Sequence, residues 1–171
     1  MSDQGHFFEP NRRGYIAQSK SCEWSTPGWL FRQLDREFGF TVDVAASDAH
    51  HCCPKYYTEE QDGLAQPWRN ERIWCNPPYD VQSLTAFVAK AWEVTRAWPN
   101  TLAVLLVPVK SDQRWWHDYA MQGEIRFIRG RVRFGGEAGA PMPVCVVVLA
   151  WGWGPRMVSM AQDDRQTEIG P

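Results

Sequence analysis

The chain has 171 residues, of which 44% are hydrophobic and 22% charged, and it carries a formal net charge of −2. That length favours one domain, and that apolar fraction excludes a disordered or low-complexity chain. Near-neutrality excludes a globally basic nucleic-acid binder, so any contact with a polyanion has to be local.

Residues 1–22 are polar and without periodicity, and read as a loose arm before a domain at 23–154. "STPGWLFRQLDREFG" opens the domain as a helix. Ser25 or Thr26 can cap it, Pro27 suits its first turn, Trp29, Leu30, Leu34 and Phe38 recur at helical spacing, and Gly39 ends it. "FTVDVAAS" continues as a short buried strand over 40–44, and 55–57 is a candidate strand. "RIWC" is a strand closed by the double proline of "CNPPY", because two prolines remove two backbone donors and fix two φ angles. "SLTAFVAKAWEVTRAW" is an amphipathic helix with Leu84, Phe87, Val88, Ala91 and Trp92 in one stripe. "TLAVLLVPV" is a strand apolar on both faces, as in a parallel sheet covered on each side. A helix is expected near 111–121, then strands in "EIRFIRG" and "VCVVVLAWG" across a Gly-, Pro- and Arg-rich loop, then a frayed polar tail at 155–171. This alternation predicts an α/β fold: a mostly parallel open sheet with a closing antiparallel pair and helices on both faces.

Five cysteines at 22, 52, 53, 75 and 145 form no disulfide framework, which fits a reducing cytoplasm. No apolar run reaches membrane-spanning length and no signal peptide opens the chain, so no membrane partner is expected. "HHCCP" at 50–54 lacks a second ligand pair at zinc spacing, so no metal is expected. The ten tryptophans exceed what a small core hides, so some should line a cleft. Trp115 and Trp116 suit either core or pocket wall, and His117 suits the surface. Residues 125–136 carry Arg126, Arg129, Arg131 and Arg133 with no acid, a basic patch that serves either a solvated face or phosphate contact.

Open α/β sheets bind ligands outside the carboxyl ends of their strands. Asp43, Asn76 and Lys110 all fall at such ends. At Asn76-Pro77-Pro78-Tyr79 the residue types suit one chemistry, methyl transfer to a flat exocyclic amine. The lone pair of such an amine is delocalised into its ring. Two acceptors aimed at its hydrogens, the Asn76 side-chain oxygen and the Pro77 carbonyl, draw the nitrogen toward sp³ character and stabilise the positive charge that develops. Tyr79 offers a face for stacking.

"CNPPY" resembles the catalytic motif of S-adenosylmethionine-dependent amino-methyltransferases. "EWSTP" (23–27), "VDVAAS" (42–47), "YYTEEQDGL" (56–64), Trp68, "LLVPVKSDQRWWH" (105–117) and "IRFIRGRVRF" (125–134) follow in an order similar to the phage-type DNA N-6-adenine-methyltransferases, the small Dam-like enzymes. The resemblance covers about residues 23–151. It implies a compact Rossmann-like methyltransferase fold, S-adenosylmethionine as methyl donor, and adenine N6 in DNA as acceptor. The enzyme would be phage- or prophage-encoded and work in a bacterial cytoplasm. It implies that Asn76, Pro77, Pro78 and Tyr79 hold an adenine flipped out of duplex DNA. Thr26 and Pro27 would touch the methionine end of the donor, with Trp24 beside them. Asp43 would receive the methionine ammonium, and Asp62 would accept from the donor's adenine amine. Ala45, Ala46 and Ser47 occupy the turn where a Gly-rich loop is usual; of these, Ala45 and Ser47 are assigned to the donor. Glu59 and Glu60 are candidates for the ribose. The four arginines would contact phosphates. The same chemistry would serve an RNA adenine or a protein glutamine amide, and the basic patch alone would suit a DNA-binding module with a relic site.

Overall fold

The structure, a computed structural model, describes residues 26–134 and 140–162. The expected arm at 1–22 and Trp24 lie outside the described residues. In chain order the elements are α1 (Gly28–Phe38), β1 (Val42–Asp43), β2 (Arg72–Cys75), α2 (Val81–Ala97), β3 (Leu102–Pro108), α3 (Arg114–Asp118) with a 3₁₀ turn at Ala120–Gln122, β4 (Glu124–Ile128), β5 (Val144–Ala150) and β6 (Arg156–Met160).

The strands form one six-stranded sheet in the order β1-β2-β3-β5-β4-β6. β1, β2 and β3 run parallel, β5 is antiparallel to both β3 and β4, and β6 is parallel to β4. The expected α/β sheet with its antiparallel β4–β5 pair is therefore present. Its faces sort by the two-residue period of the strands. Ile73, Cys75, Ala103, Leu105, Val107, Cys145 and Val147 pack under α2 and α3. Trp74, Val104, Leu106, Val144, Val146 and Val148 pack under Leu30, Leu34 and Phe38 of α1. Each fully buried Leu or Phe of these layers contributes about 2 kcal/mol of transfer free energy.

Several boundaries differ from expectation. Pro27, extended at φ −59°, ψ 131°, stands at the N-cap of α1, with no side-chain cap. Its carbonyl takes the amides of Leu30 and Phe31 at 3.0 and 3.2 Å, so Thr26 is not the cap. α1 ends as expected at Gly39, in the left-handed region at φ 62°, which a residue without Cβ adopts at least cost. α2 starts two residues before the expected Ser83, because Asp80 caps it by accepting from the Ser83 amide at 2.8 Å. Such a cap is worth about 1 kcal/mol.

The candidate strand at 55–57 reduces to one bridge, Tyr56 to Asp43, on the outer side of β1. The segment expected as a polar tail supplies β6: Met160 is 7% exposed in the α1-side core, and Arg156 reaches the buried Glu124 at 3.2 Å. Its polar composition hides a five-residue strand, "RMVSM", of which only the last residue is buried.

Among the described residues, at least five tryptophans do not line the expected cleft. Trp115 and Trp116 are core residues, 3% and 4% exposed. Trp98, Trp151 and Trp153 are exposed but follow α2 or β5, on the sheet edge opposite the carboxyl ends of β1–β3. Among the described residues no helix is long and apolar enough to cross a membrane.

Candidate active site

The parallel strands β1, β2 and β3 end in Asp43, Cys75 and Pro108 on one edge of the sheet. The loops that follow bring separated parts of the sequence together there. Asn76 is the first residue past β2. Its side-chain NH₂ donates to the Thr26 hydroxyl at 3.4 Å, across 50 positions of sequence. The hydroxyl that could have capped α1 is thus turned to the double-proline motif. With its NH₂ end on Thr26, the Asn76 amide directs its carbonyl away from Thr26.

Pro77 is buried and Pro78 half-buried, and Asp80 caps α2 directly after Tyr79. The four-residue motif is therefore clamped between the end of β2 and the start of α2. The Tyr79 hydroxyl donates to the Leu106 carbonyl on β3 at 3.4 Å, and the ring meets Phe134 edge-on at 6.4 Å.

Asp43 is 4% exposed. Its Oδ1 accepts from the Ala45 amide at 3.3 Å and its Oδ2 from the Cys52 amide at 3.0 Å. Burial raises its carboxyl above the ordinary value, against those two amide bonds and the nearby His51. Among the described residues no salt bridge reaches it. The carboxylate both folds the 44–52 loop back onto β1 and places a negative charge at the carboxyl end of the sheet. Cys52 is pushed up to about 12, by burial first and by Asp43 second, with Thr26 acting the other way. It is a neutral spacer between Asp43 and Thr26, not a nucleophile.

The turn at 45–47 needs no glycine. Its residues have no positive φ; among the described residues the non-Gly ones that do are Asp62 and Asn70. Ala46 is tied back to the Tyr57 carbonyl at 3.0 Å. The Ser47 hydroxyl accepts from the His50 amide at 3.1 Å, so it serves the turn itself. Asp62 sits at φ 50° in an exposed turn, its Oδ1 accepting from the Leu64 amide at 3.1 Å. Gly63 lies directly on β1's end: an added Cβ would stand 2.1 Å from the Val44 carbonyl oxygen. Glu59 and Glu60 are exposed on the same loop.

The arginines divide. Arg126 departs from the expected phosphate role. All three of its nitrogens are engaged: Nε with Glu124 at 2.5 Å, and both terminal nitrogens with Glu37 at 2.6 Å. It also lies 5.0 Å from the Phe38 ring, so it staples α1 to β4. Arg129, Arg131 and Arg133 are exposed, while Val132 and Phe134 between them are buried. Arg131 donates to the Ala140 carbonyl at 2.8 Å. Because Phe134 touches Tyr79, this exposed arginine edge borders the double-proline motif. His117 is exposed, its ring within 2.8 Å of the Ser111 carbonyl. Among the described residues no group of three His, Cys, Asp or Glu is placed to hold a metal ion.

Three contributors were not singled out from the sequence: Cys52, Phe134, and Lys90 on α2, which bonds the Asp62 loop. Cys52 and Phe134 act through long-range contacts that local pattern does not encode. The signal for Lys90 was a lysine beside the apolar stripe of α2.

Residues 15–148 match the family described as DNA N-6-adenine-methyltransferase (Dam). A DNA N-6-adenine-methyltransferase of Escherichia phage T1 is 28% identical, with 63% of this chain and 54% of that protein covered. The chain thus spans about half the length of that relative.

Proposed function

The chain belongs to the DNA N-6-adenine-methyltransferase (Dam) family, and from that premise we propose that it transfers a methyl group from S-adenosylmethionine to the exocyclic N6 of adenine in double-stranded DNA. The observation that carries this reading is the 3.4 Å contact between Thr26 and Asn76, which joins the two sequence motifs beside Asp43 at the carboxyl edge of the sheet.

The donor set suits S-adenosylmethionine. Asp43 offers a buried carboxylate for the methionine ammonium, with Thr26, Pro27 and, by its place in the sequence, Trp24 at the same end. Ala45 and Ser47 wall the turn with small side chains. Asp62 accepts from the adenine amine, and Glu59 or Glu60 is the nearest acid for the ribose. When bound, the cofactor supplies a sulfonium-activated methyl group.

The chain's own residues prepare the acceptor. The Asn76 carbonyl and the Pro77 carbonyl each take one hydrogen of the target amine, turn its lone pair toward the methyl, and stabilise the charge that grows on nitrogen. Pro77 and Pro78 hold these acceptors in place before substrate arrives, so no reorganisation is needed at the moment of reaction. One such pre-placed hydrogen-bonding group is worth about 3–4 kcal/mol. Tyr79, braced by Leu106 and Phe134, stacks on the extruded base, offsetting the few kcal/mol of unstacking. The amine proton becomes acidic only after transfer, so no strong base is required in the site. Arg129, Arg131 and Arg133 contact phosphates beside this pocket; Arg126 does not.

The phage T1 relative supports a phage or prophage origin, and free Cys52, Cys53, Cys75 and Cys145 suit a reducing bacterial cytoplasm. Labelled donor offered to unmodified DNA, RNA and protein tests the acceptor. Label is expected in DNA, as N6-methyladenine. Label in RNA or in a glutamine amide would replace the acceptor, and no donor binding at millimolar concentration would make the site a relic.

A further inference from the structure

We propose that Lys90 is a positioning residue for the donor side of the site, holding the 62–68 segment against the end of β1 and so setting where Asp62 stands. This rests on the reading in which Asp62 accepts from the donor's adenine amine.

The segment has no regular element to hold it. Its internal bonds are local: the Asp62 amide to the Glu59 carbonyl at 3.1 Å, and the Ala65 amide to the Asp62 carbonyl at 2.8 Å. A turn of this kind opens easily unless anchored from outside. Two anchors come from the segment itself. Gly63 sits on the Val44 carbonyl with no room for a side chain, and the Trp68 indole N–H donates to the Gly63 carbonyl at 2.8 Å.

The third anchor is Lys90. Its ammonium donates to the Leu64 carbonyl at 2.5 Å and the Gln66 carbonyl at 2.7 Å, and lies 4.6 Å from the centre of the Trp68 ring. Trp68 is itself 1% exposed, so the cation is seated on a fixed surface. A lysine free in solvent keeps its rotamer entropy, which this one has surrendered to two carbonyls of a neighbouring loop. Burial pushes its pKa down to about 8, with Asp62 and Glu93 acting the other way. Lys90 thus accepts a desolvated setting in which its bonds fall on residues two and four past Asp62.

The test uses the full chain with Lys90→Met, which keeps an unbranched stem over Trp68 and removes the donors, and Lys90→Arg, which restores them. Calorimetry with S-adenosylmethionine is expected to show about tenfold weaker binding in Lys90→Met and recovery to within about threefold in Lys90→Arg. The kcat at saturating donor and the KM for DNA should stay within about twofold. In an Asp62→Ala background, adding Lys90→Met should weaken binding by less than about twofold, because the group it positions is gone. Full tenfold effects that multiply, or a drop in kcat with donor affinity intact, would overturn the proposal in favour of a plain structural role. Hydrogen exchange at residues 62–66 without donor reads the anchoring directly and is expected to quicken about tenfold in Lys90→Met; unchanged exchange also overturns it. Quickened exchange in a chain that binds no donor at all would retain the anchor and overturn the functional reading instead.

Discussion

Two buried carboxylates, one in each half of the sheet, are treated in opposite ways. Glu124 on β4 is 2% exposed and is met by two guanidinium groups, Arg126 at 2.5 Å and Arg156 at 3.2 Å. Asp43 on β1 is 4% exposed and is met by two backbone amides. Removing a carboxylate from water costs several kcal/mol unless countercharges or hydrogen bonds offset it. In the β5-β4-β6 half the offset is complete, and the network of Glu37, Arg126, Glu124 and Arg156 ties α1 to the edge strands. In the β1-β2-β3 half it is partial, and burial still raises the Asp43 carboxyl. A buried charge matched by protein cations is architecture. One held at a sheet's carboxyl edge by amides alone retains lone pairs for a cationic ligand.

Four experiments can erase this contrast, the costliest substitution first. Glu124→Gln leaves two guanidinium groups without their shared counterion, and should cost about 3–5 kcal/mol in urea unfolding while donor affinity stays within about twofold. Loss of donor binding in folded Glu124→Gln would remove the distinction between the halves.

Asp43→Asn should behave in reverse. The amide still accepts one backbone bond, so stability falls by only about 1–3 kcal/mol, while donor affinity measured by calorimetry drops tenfold or more, about 1.4 kcal/mol for each factor of ten.

Acid titration separates the two regions by sign. The Glu37 carboxyl is lowered below 4.5, chiefly by its hydrogen bonds to Arg126. Its stabilisation is present above 4.5 and is lost as pH falls through the folded value. Asp43 is raised above 3.8, so its contribution is present below 3.8 and lost as pH rises through the folded value. Melting curves from about pH 7 to about pH 3 should therefore show Glu37→Gln losing less on acidification than the parent, and Asp43→Asn losing more. Parallel curves would contradict the assignment.

Replacing Arg131 and Arg133 together by Ala should lower stability by only about 1 kcal/mol, since both are exposed and only the bond from Arg131 to the Ala140 carbonyl is lost. The log–log salt dependence of DNA binding should become shallower, by about 0.9 in slope for each phosphate that these side chains neutralise. Arg126→Ala should lower stability more.

The sheet and its site edge were legible because both are local. "RIWC" and "TLAVLLVPV" carry strand pattern and "SLTAFVAKAWEV" helix pattern, and Asn-Pro-Pro-Tyr marks an abrupt strand end whose position in an open sheet fixes what it faces. Pairings across long sequence separations were not. Thr26 reads as a helix cap from its neighbours alone, and only the fold shows its hydroxyl turned to Asn76. Arg126 looks equivalent to Arg131 in sequence, yet strand alternation sends it toward α1 and Glu37. β6 was hidden because five residues of mixed polarity carry too little apolar pattern to stand out until β4 pairs with them. The turn after β1 seemed to need glycine; it does not, because a loop tied to Asp43 and Tyr57 passes through ordinary backbone angles.

Polarisation of an adenine amine in DNA by Asn76 is the decisive step of the proposed mechanism. It is tested most directly by methyl transfer from labelled S-adenosylmethionine to unmodified duplex DNA, with the parent chain and Asn76→Ala compared at equal donor saturation. The expected result is label mapped to adenine N6 with the parent chain, and a drop of about 10²–10³-fold in Asn76→Ala with donor affinity and melting retained. Parent-level transfer by Asn76→Ala would contradict it.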